Sequence, residues 1–207
     1  MGELVRIGIV DGVATITLDS QHNRNALSRQ LVAELSACLD DAEGADVRAI
    51  VLRHAGPAFC AGADLKERAA ETTQSGSTPA SGPMVSVMRR LMTTPRPTLA
   101  AVHGAVRAGG IGLMASCDLV VVDTAVTFAL TEVRIGVAPA IICVPILRRV
   151  PSGKIAAAML TGEIFTADEA REMGLVTHVT DDVESTVAAL IQGILAGAPR
   201  AVAEAKR

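Results

Sequence analysis

The chain has 207 residues, half of them apolar and a fifth charged, with a formal net charge of -3. That is the composition of a globular protein able to bury a sizeable core, expected as one domain over residues 1–207. Three phenylalanines, no Trp and no Tyr leave no stacking platforms, and the acidic balance leaves no basic face, so nucleic acid is excluded as a partner.

The longest uncharged apolar run, Ile135 to Leu147, is too short to span a bilayer and holds Pro139 and Pro145. The N-terminus carries Glu3 and Arg6 where a secretory signal is apolar. No membrane partner and a cytoplasmic location are therefore expected. Cys38, Cys60, Cys117 and Cys143 form no CxxC pair and have no histidine at ligand spacing, which predicts reduced thiols and no metal site.

Leu4–Val10 and Val13–Asp19 read as β-branched strands joined by an Asp11-Gly12 hairpin turn. Ser28 can cap a helix whose apolar face is Leu31, Leu35, Cys38 and Leu39, and Arg48–Arg53 is the next strand. Thr72–Pro83 is small, polar and rich in Gly, Pro and Ser, as expected for a mobile surface loop that could cover a site. Pro97–Val102, Leu119–Val122 and Val126–Ala129 read as further strands, with mostly helix from Pro139 onward. Thr166 and Glu169 form a capping box, and Val183, Val187, Leu190, Ile191 and Ile194 form a core-facing helical stripe. A last helix opens at Pro199 and stops after barely two turns, which reads as a chain truncated at its C-terminus.

The stretch AGGIGLMASCD, 108–118, carries three glycines and no reactive side chain before Cys117. Gly110, Gly112 and Ala115 satisfy G-x-G-x-x-[GA], but the preceding strand ends too early and the following helix is too short for a dinucleotide fold, and no Gly-Lys-Ser/Thr ending makes a phosphate loop. What such a loop offers is backbone N–H at a helix start. PAFCAGADLKE, 57–67, has the same character, with a small-residue turn before a helix opening at Asp64. Each stretch alone also reads as a tight turn with close helix packing. Together they read as two N–H donors facing one anion, an oxyanion hole.

NAL at 25–27, FCAGADLKE at 59–67, AVHGAVRAGGIGLMASCDLVVV at 101–122 and FALTEVRIGVAP at 128–139 resemble, in order and spacing, the crotonase family of enoyl-CoA hydratases and isomerases. The resemblance implies an α/β fold, a spiral of β-β-α repeats over about 1–150 followed by a helical region over about 151–207. It implies an acyl-CoA thioester as ligand, no separate cofactor, and a homotrimer or a hexamer built as a dimer of trimers. It places the oxyanion donors at Ala63 and Gly109. It places coenzyme A along His22, Arg24 and Ala26, then Ala61, Asp64, Leu65 and Lys66, largely through backbone, with Arg24 and Lys66 either meeting phosphates or standing as solvated surface charges.

Hydratases of the family use two glutamates, at positions that correspond here to Gly112 and Glu132. Only the second is present. Glu132 is the only acid between Ala125 and Ile146, and burial after the apolar VTFAL would raise its pKa as suits a proton shuttle. The plainer alternative is a carboxylate serving the N-terminus of a helix. Three readings follow: an enoyl-CoA isomerase using Glu132, a hydratase with a substitute for the missing acid, and a non-catalytic acyl-CoA binder. One carboxylate suits the first.

Overall fold

A computed structural model describes residues 2–67 and 82–207. The expected loop Thr72–Pro83 lies outside the described residues apart from Gly82 and Pro83, which begin a helix. The chain opens with strands β1 (Val5–Val10) and β2 (Val13–Leu18), paired antiparallel around Asp11-Gly12. Both turn residues have positive φ, 48° and 75°, as the hairpin reading requires. Helix α1 (Arg29–Gly44) follows, and the Ser28 side chain accepts a hydrogen bond from the Leu31 N–H at its start. Leu31, Leu35 and Leu39 are fully buried on one face of it.

Strands β3 (Ala49–His54) and β4 (Ala58–Cys60), helix α2 (Gly82–Thr93), strands β5 (Thr98–Val102) and β6 (Ala105–Arg107), and helix α3 (Gly109–Ala115) continue the chain. Strands β7 (Leu119–Asp123) and β8 (Thr127–Ala129) lead to a 3-10 turn, Thr131–Ile135. Beyond it lie α4 (Ala140–Leu147), α5 (Ser152–Thr161), β9 (Ile164–Thr166), α6 (Ala167–Met173), β10 (His178–Thr180), α7 (Val183–Ala196) and α8 (Pro199–Lys206). The Thr166/Glu169 capping box is formed at α6.

The strands divide by turns between two sheets. One has the order β1-β2-β3-β5-β7-β10 and the other β4-β6-β8-β9. Each of the pairs β3/β4, β5/β6 and β7/β8 places its first strand in the large sheet and its second in the small one, which is the α/β spiral of repeats expected from the sequence. Four strands were not legible there: β4, β6, β9 and β10. Each has three residues, too few to show a period-2 pattern.

One apolar cluster runs from Val5 through both sheets to Val176. A second joins the other face of β3, β5 and β7 to Val183, Val187 and Ile191 of α7, the predicted stripe. Since β5 is apolar on both faces and buried throughout, it reads as a continuous TLAAV run rather than an alternating one. Helix α8 is held by Lys206, whose ammonium donates to the carbonyls of Leu91 and Arg96 and pairs with Asp118 at 2.8 Å. Among the described residues no helix is long and apolar enough by itself to cross a membrane.

Candidate active site

Three parallel neighbours in the small sheet deliver the candidate residues. Ala58 and Cys60 of β4 pair with Ala105 and Val106 of β6, and Val106 and Arg107 pair with Phe128 and Ala129 of β8. Parallel strands end on the same side. The loops that leave β4, β6 and β8 therefore emerge together, carrying Ala63, Gly109 and Glu132 within three residues of each strand end.

Two features turn the first loops into donors. Ala108, between β6 and α3, has φ 48° and ψ -122°. This region costs an alanine roughly 1–3 kcal/mol, and it is held by the Ala108 N–H donating to the Ala129 carbonyl at 2.9 Å. Gly109 is then the first residue of α3, so its N–H has no intrahelical acceptor. In the other loop, the Gly62 N–H donates to the Cys60 sulfur and the Gly62 carbonyl accepts from Leu27 at 2.8 Å. Ala63 forms a parallel bridge with Leu27. Among the described residues neither the Ala63 nor the Gly109 N–H has a hydrogen-bond partner. The loops are in contact: the position of a Cβ on Gly109 is 3.9 Å from the Ala63 nitrogen.

The glycines of α3 also let other elements close in. A Cβ on Gly110 would meet the Cys60 Cβ at 2.6 Å, so α3 sits directly on β4. A Cβ on Gly112 would lie 2.5 Å from Ile142 Cγ2, 2.6 Å from Ile142 Cβ and 2.9 Å from Met88 Cε. At the position that the resemblance gives to a hydratase's first glutamate, the space beside Gly112 is taken by an isoleucine from α4 and a methionine from α2, both buried. A glutamate placed there would have to displace them.

Glu132 lies in the 3-10 turn after β8, with its carbonyl accepting from the Val137 N–H at 3.0 Å. Its Oε2 is buried and, among the described residues, has no hydrogen-bond partner. Burial raises its pKa above the ordinary carboxylate value, opposed only by its own backbone N–H. The alternative role as a helix-terminus partner leaves that oxygen unexplained. Cys60, at the end of β4, is fully buried, and burial pushes its thiol up to about 12, so it stays protonated at neutral pH.

The residues expected to meet coenzyme A lie on two loops that are tied together. His22, Arg24 and Ala26 belong to a loop that contains a short 3-10 turn, Gln21–Asn23. That loop is tied to the Ala61–Lys66 segment by the Ala61 N–H donating to the Arg24 carbonyl at 3.0 Å and by Asn23 Nδ2 donating to Asp64 at 3.1 Å. Asn25, the first residue of NAL, is fully buried. It accepts from the Ser20 N–H and donates to the Ala55 and Ala58 carbonyls, so it braces the loop against β4. Asp64 caps the following helical turn by accepting from the Lys66 and Glu67 N–H groups, in keeping with the helix start read there from the sequence. Leu65 and Lys66 are exposed. Among the described residues no three His, Cys, Asp or Glu side chains are grouped to hold a metal ion.

This combination of a two-sheet spiral with paired backbone donors beside a buried carboxylate is that of an acyl-thioester enzyme fold. The family model for enoyl-CoA hydratase/isomerase matches residues 8–207, and the chain belongs to that family. A Thermus thermophilus protein carrying an enoyl-CoA hydratase name is 39% identical over 170 residues, 81% of this chain and 67% of its own. The 1,2-epoxyphenylacetyl-CoA isomerase of Escherichia coli is 31% identical over 88% of this chain and 71% of its own. The crystal structure of an enoyl-CoA hydratase from Mycobacterium avium superposes with a TM-score of 0.87 at 39% identity, covering all of this chain and 81% of the other. Against the human mitochondrial enoyl-CoA hydratase domain-containing protein 3 the chain spans 58% of the relative's length.

Proposed function

We propose that this protein shifts a double bond in an enoyl-CoA thioester, with Glu132 as the single proton shuttle and the Ala63 and Gly109 N–H groups holding the thioester oxygen. The observation that carries this reading is the filling of the space at Gly112 by Ile142 and Met88, with the buried Glu132 carboxylate left as the acid that the described residues supply.

Hydration of a 2-enoyl thioester adds hydroxide at C3 and a proton at C2, so it needs water held and activated next to a proton donor. Isomerisation needs less. The Glu132 carboxylate takes a proton from C2 of a 3-enoyl thioester, and negative charge passes to the carbonyl oxygen as a dienolate. The same carboxyl then returns that proton to C4 while the double bond settles between C2 and C3. No water is consumed. The raised pKa of Glu132 makes it a stronger base once ionised, and the two amides stabilise the oxygen; one such donor is commonly worth ~10²–10³ in rate. Coenzyme A is read as lying along His22, Arg24, Ala26, Ala61, Asp64, Leu65 and Lys66, and a homotrimer or dimer of trimers in the cytoplasm remains part of this proposal.

The test is direct. The protein is mixed with crotonyl-CoA and with a 3-enoyl-CoA, and the absorbance of the conjugated thioester is followed. Gain from the second supports isomerisation; loss from the first supports hydration; binding of both without change makes the protein a carrier.

A further inference from the structure

We propose that Ile142 is a specificity-determining residue: seated on Gly112 with Met88, it sets an apolar wall one helical turn from the Gly109 N–H and keeps water from the bound dienolate. This rests on the proposed function and adds the residue that selects proton transfer over hydration.

The argument begins on α3. Gly112 is three residues, about one helical turn, past the oxyanion residue Gly109, which is an axial rise of ~4.5 Å. Any group seated on Gly112 therefore lies within a turn of the thioester oxygen. That group is Ile142, so close that only a glycine leaves it room. Helix α4, which supplies it, is apolar all round: AIICVPIL has no side chain able to hold a water except the Cys143 thiol, and that thiol donates to its own helix at the Ala140 carbonyl. Met88 arrives from α2, with Val87 and Leu91 buried beside it. An unpartnered water on such a wall would forfeit two or more hydrogen bonds.

Two positions thirty residues apart are thus matched. A carboxylate at 112 and an isoleucine at 142 exclude one another, so a change at Gly112 alone cannot install a second acid. The pair sets the outcome, and Ile142 is the member that occupies the space.

The experiment compares the parent, Gly112→Glu, Ile142→Ala and the double variant on crotonyl-CoA and a 3-enoyl-CoA. The double variant is expected to raise the ratio of hydration to isomerisation at least tenfold over the parent, and Gly112→Glu alone not to. Equal gains in the single Gly112→Glu and the double variant would overturn the proposal, as would a folded double variant with the parent's ratio. Because the glutamate variants can fail to fold, Ile142→Ala is also assayed on the 3-enoyl substrate in D2O. Opening the wall is expected to raise the solvent deuterium in the product at least twofold, and an unchanged fraction overturns the proposal. A parent that isomerises while these variants show no change defeats this inference alone. A parent that turns over neither substrate defeats the proposed function, and this inference with it.

Discussion

Gly62 and Ala108 lie against one another: a Cβ on Gly62 would sit 2.8 Å from that of Ala108 and 3.3 Å from the Arg107 carbonyl oxygen. Gly62 also has φ +90°, so an alanine there is strained as well as crowded. Gly62→Ala is expected to push the two loops apart and misplace both donors, lowering kcat/KM by ~10² or more. Steady-state assays beside a circular-dichroism spectrum check this; a folded variant with parental turnover would separate the loop contact from catalysis.

Glu132→Gln preserves shape but removes the base. Turnover is expected to fall by ~10² or more, while acyl-CoA affinity, carried by backbone contacts, changes by no more than a few fold. In the parent, kcat should decline on the acid side through a pKa above the usual carboxylate value, because only ionised Glu132 accepts a proton and burial raises its pKa. Isothermal titration and a kcat–pH profile read the two effects separately.

The same carboxylate has an effect on stability. The fold favours its protonated form, so the native state holds more protons than the unfolded chain between the ordinary and raised pKa values, and stability declines as pH rises through that window. Glu132→Gln should therefore raise the melting temperature at pH 7 by removing the buried charge, and the gain should vanish below the ordinary carboxylate range, where the parent's Glu132 is protonated in both states. Calorimetric scans at pH 7 and below that range test it.

Gly112→Ala adds one methyl group where Ile142 and Met88 already stand. Overpacking of this kind costs about 1–3 kcal/mol. In an Ile142→Ala background, which removes the crowding Cγ2 atom, Gly112→Ala should cost less than in the parent, whereas two independent sites would simply add. A melting-temperature cycle over the four proteins decides between coupling and additivity.

His54 ends β3 with its Nε2 accepting from the His103 backbone N–H at 3.0 Å and its buried Nδ1 without a partner among the described residues. Burial, then the neighbouring His103 ring, lower its pKa from 6.5 to about 4. Glu184 pairs with both His103 and Arg53 beside it. The unfolded chain takes up a proton at a pH where folded His54 does not, so stability should be lost progressively as pH falls from about 6.5 toward 4. His54→Gln, which keeps an acceptor for His103 but does not titrate, should flatten that slope in a melting series.

The sequence exposed the elements whose signals are local. The Asp11-Gly12 turn, the Ser28 cap and the Thr166/Glu169 box each lie within a few residues of the backbone they satisfy, and all three are formed. The donors at Ala63 and Gly109 could be assigned by resemblance, but the two short strands that bring them together, β4 and β6, could not be read. Three residues carry no period, and only pairing with neighbours makes them strands. The absence of a glutamate at 112 was visible; its replacement was not, because Ile142 is thirty residues away inside a helix with no polar face to set its orientation. Asp64 was legible as the opening of a helix; that it also accepts from Asn23, forty-one residues earlier, was not.

Both sheets also follow the chain in their strand order, β1-β2-β3-β5-β7-β10 and β4-β6-β8-β9. No strand has to be inserted between two made earlier; each new one docks on an open edge. During synthesis, β1 through β8 have all been made before Glu132 leaves the ribosome; the only strands that follow it are the outer β9 and β10, accompanied by helices α4 to α8. The catalytic edge can thus assemble in the order of translation, one crossover at a time, and shortening the chain from its C-terminus would strip strands from the margins of the sheets rather than from the middle that carries the chemistry.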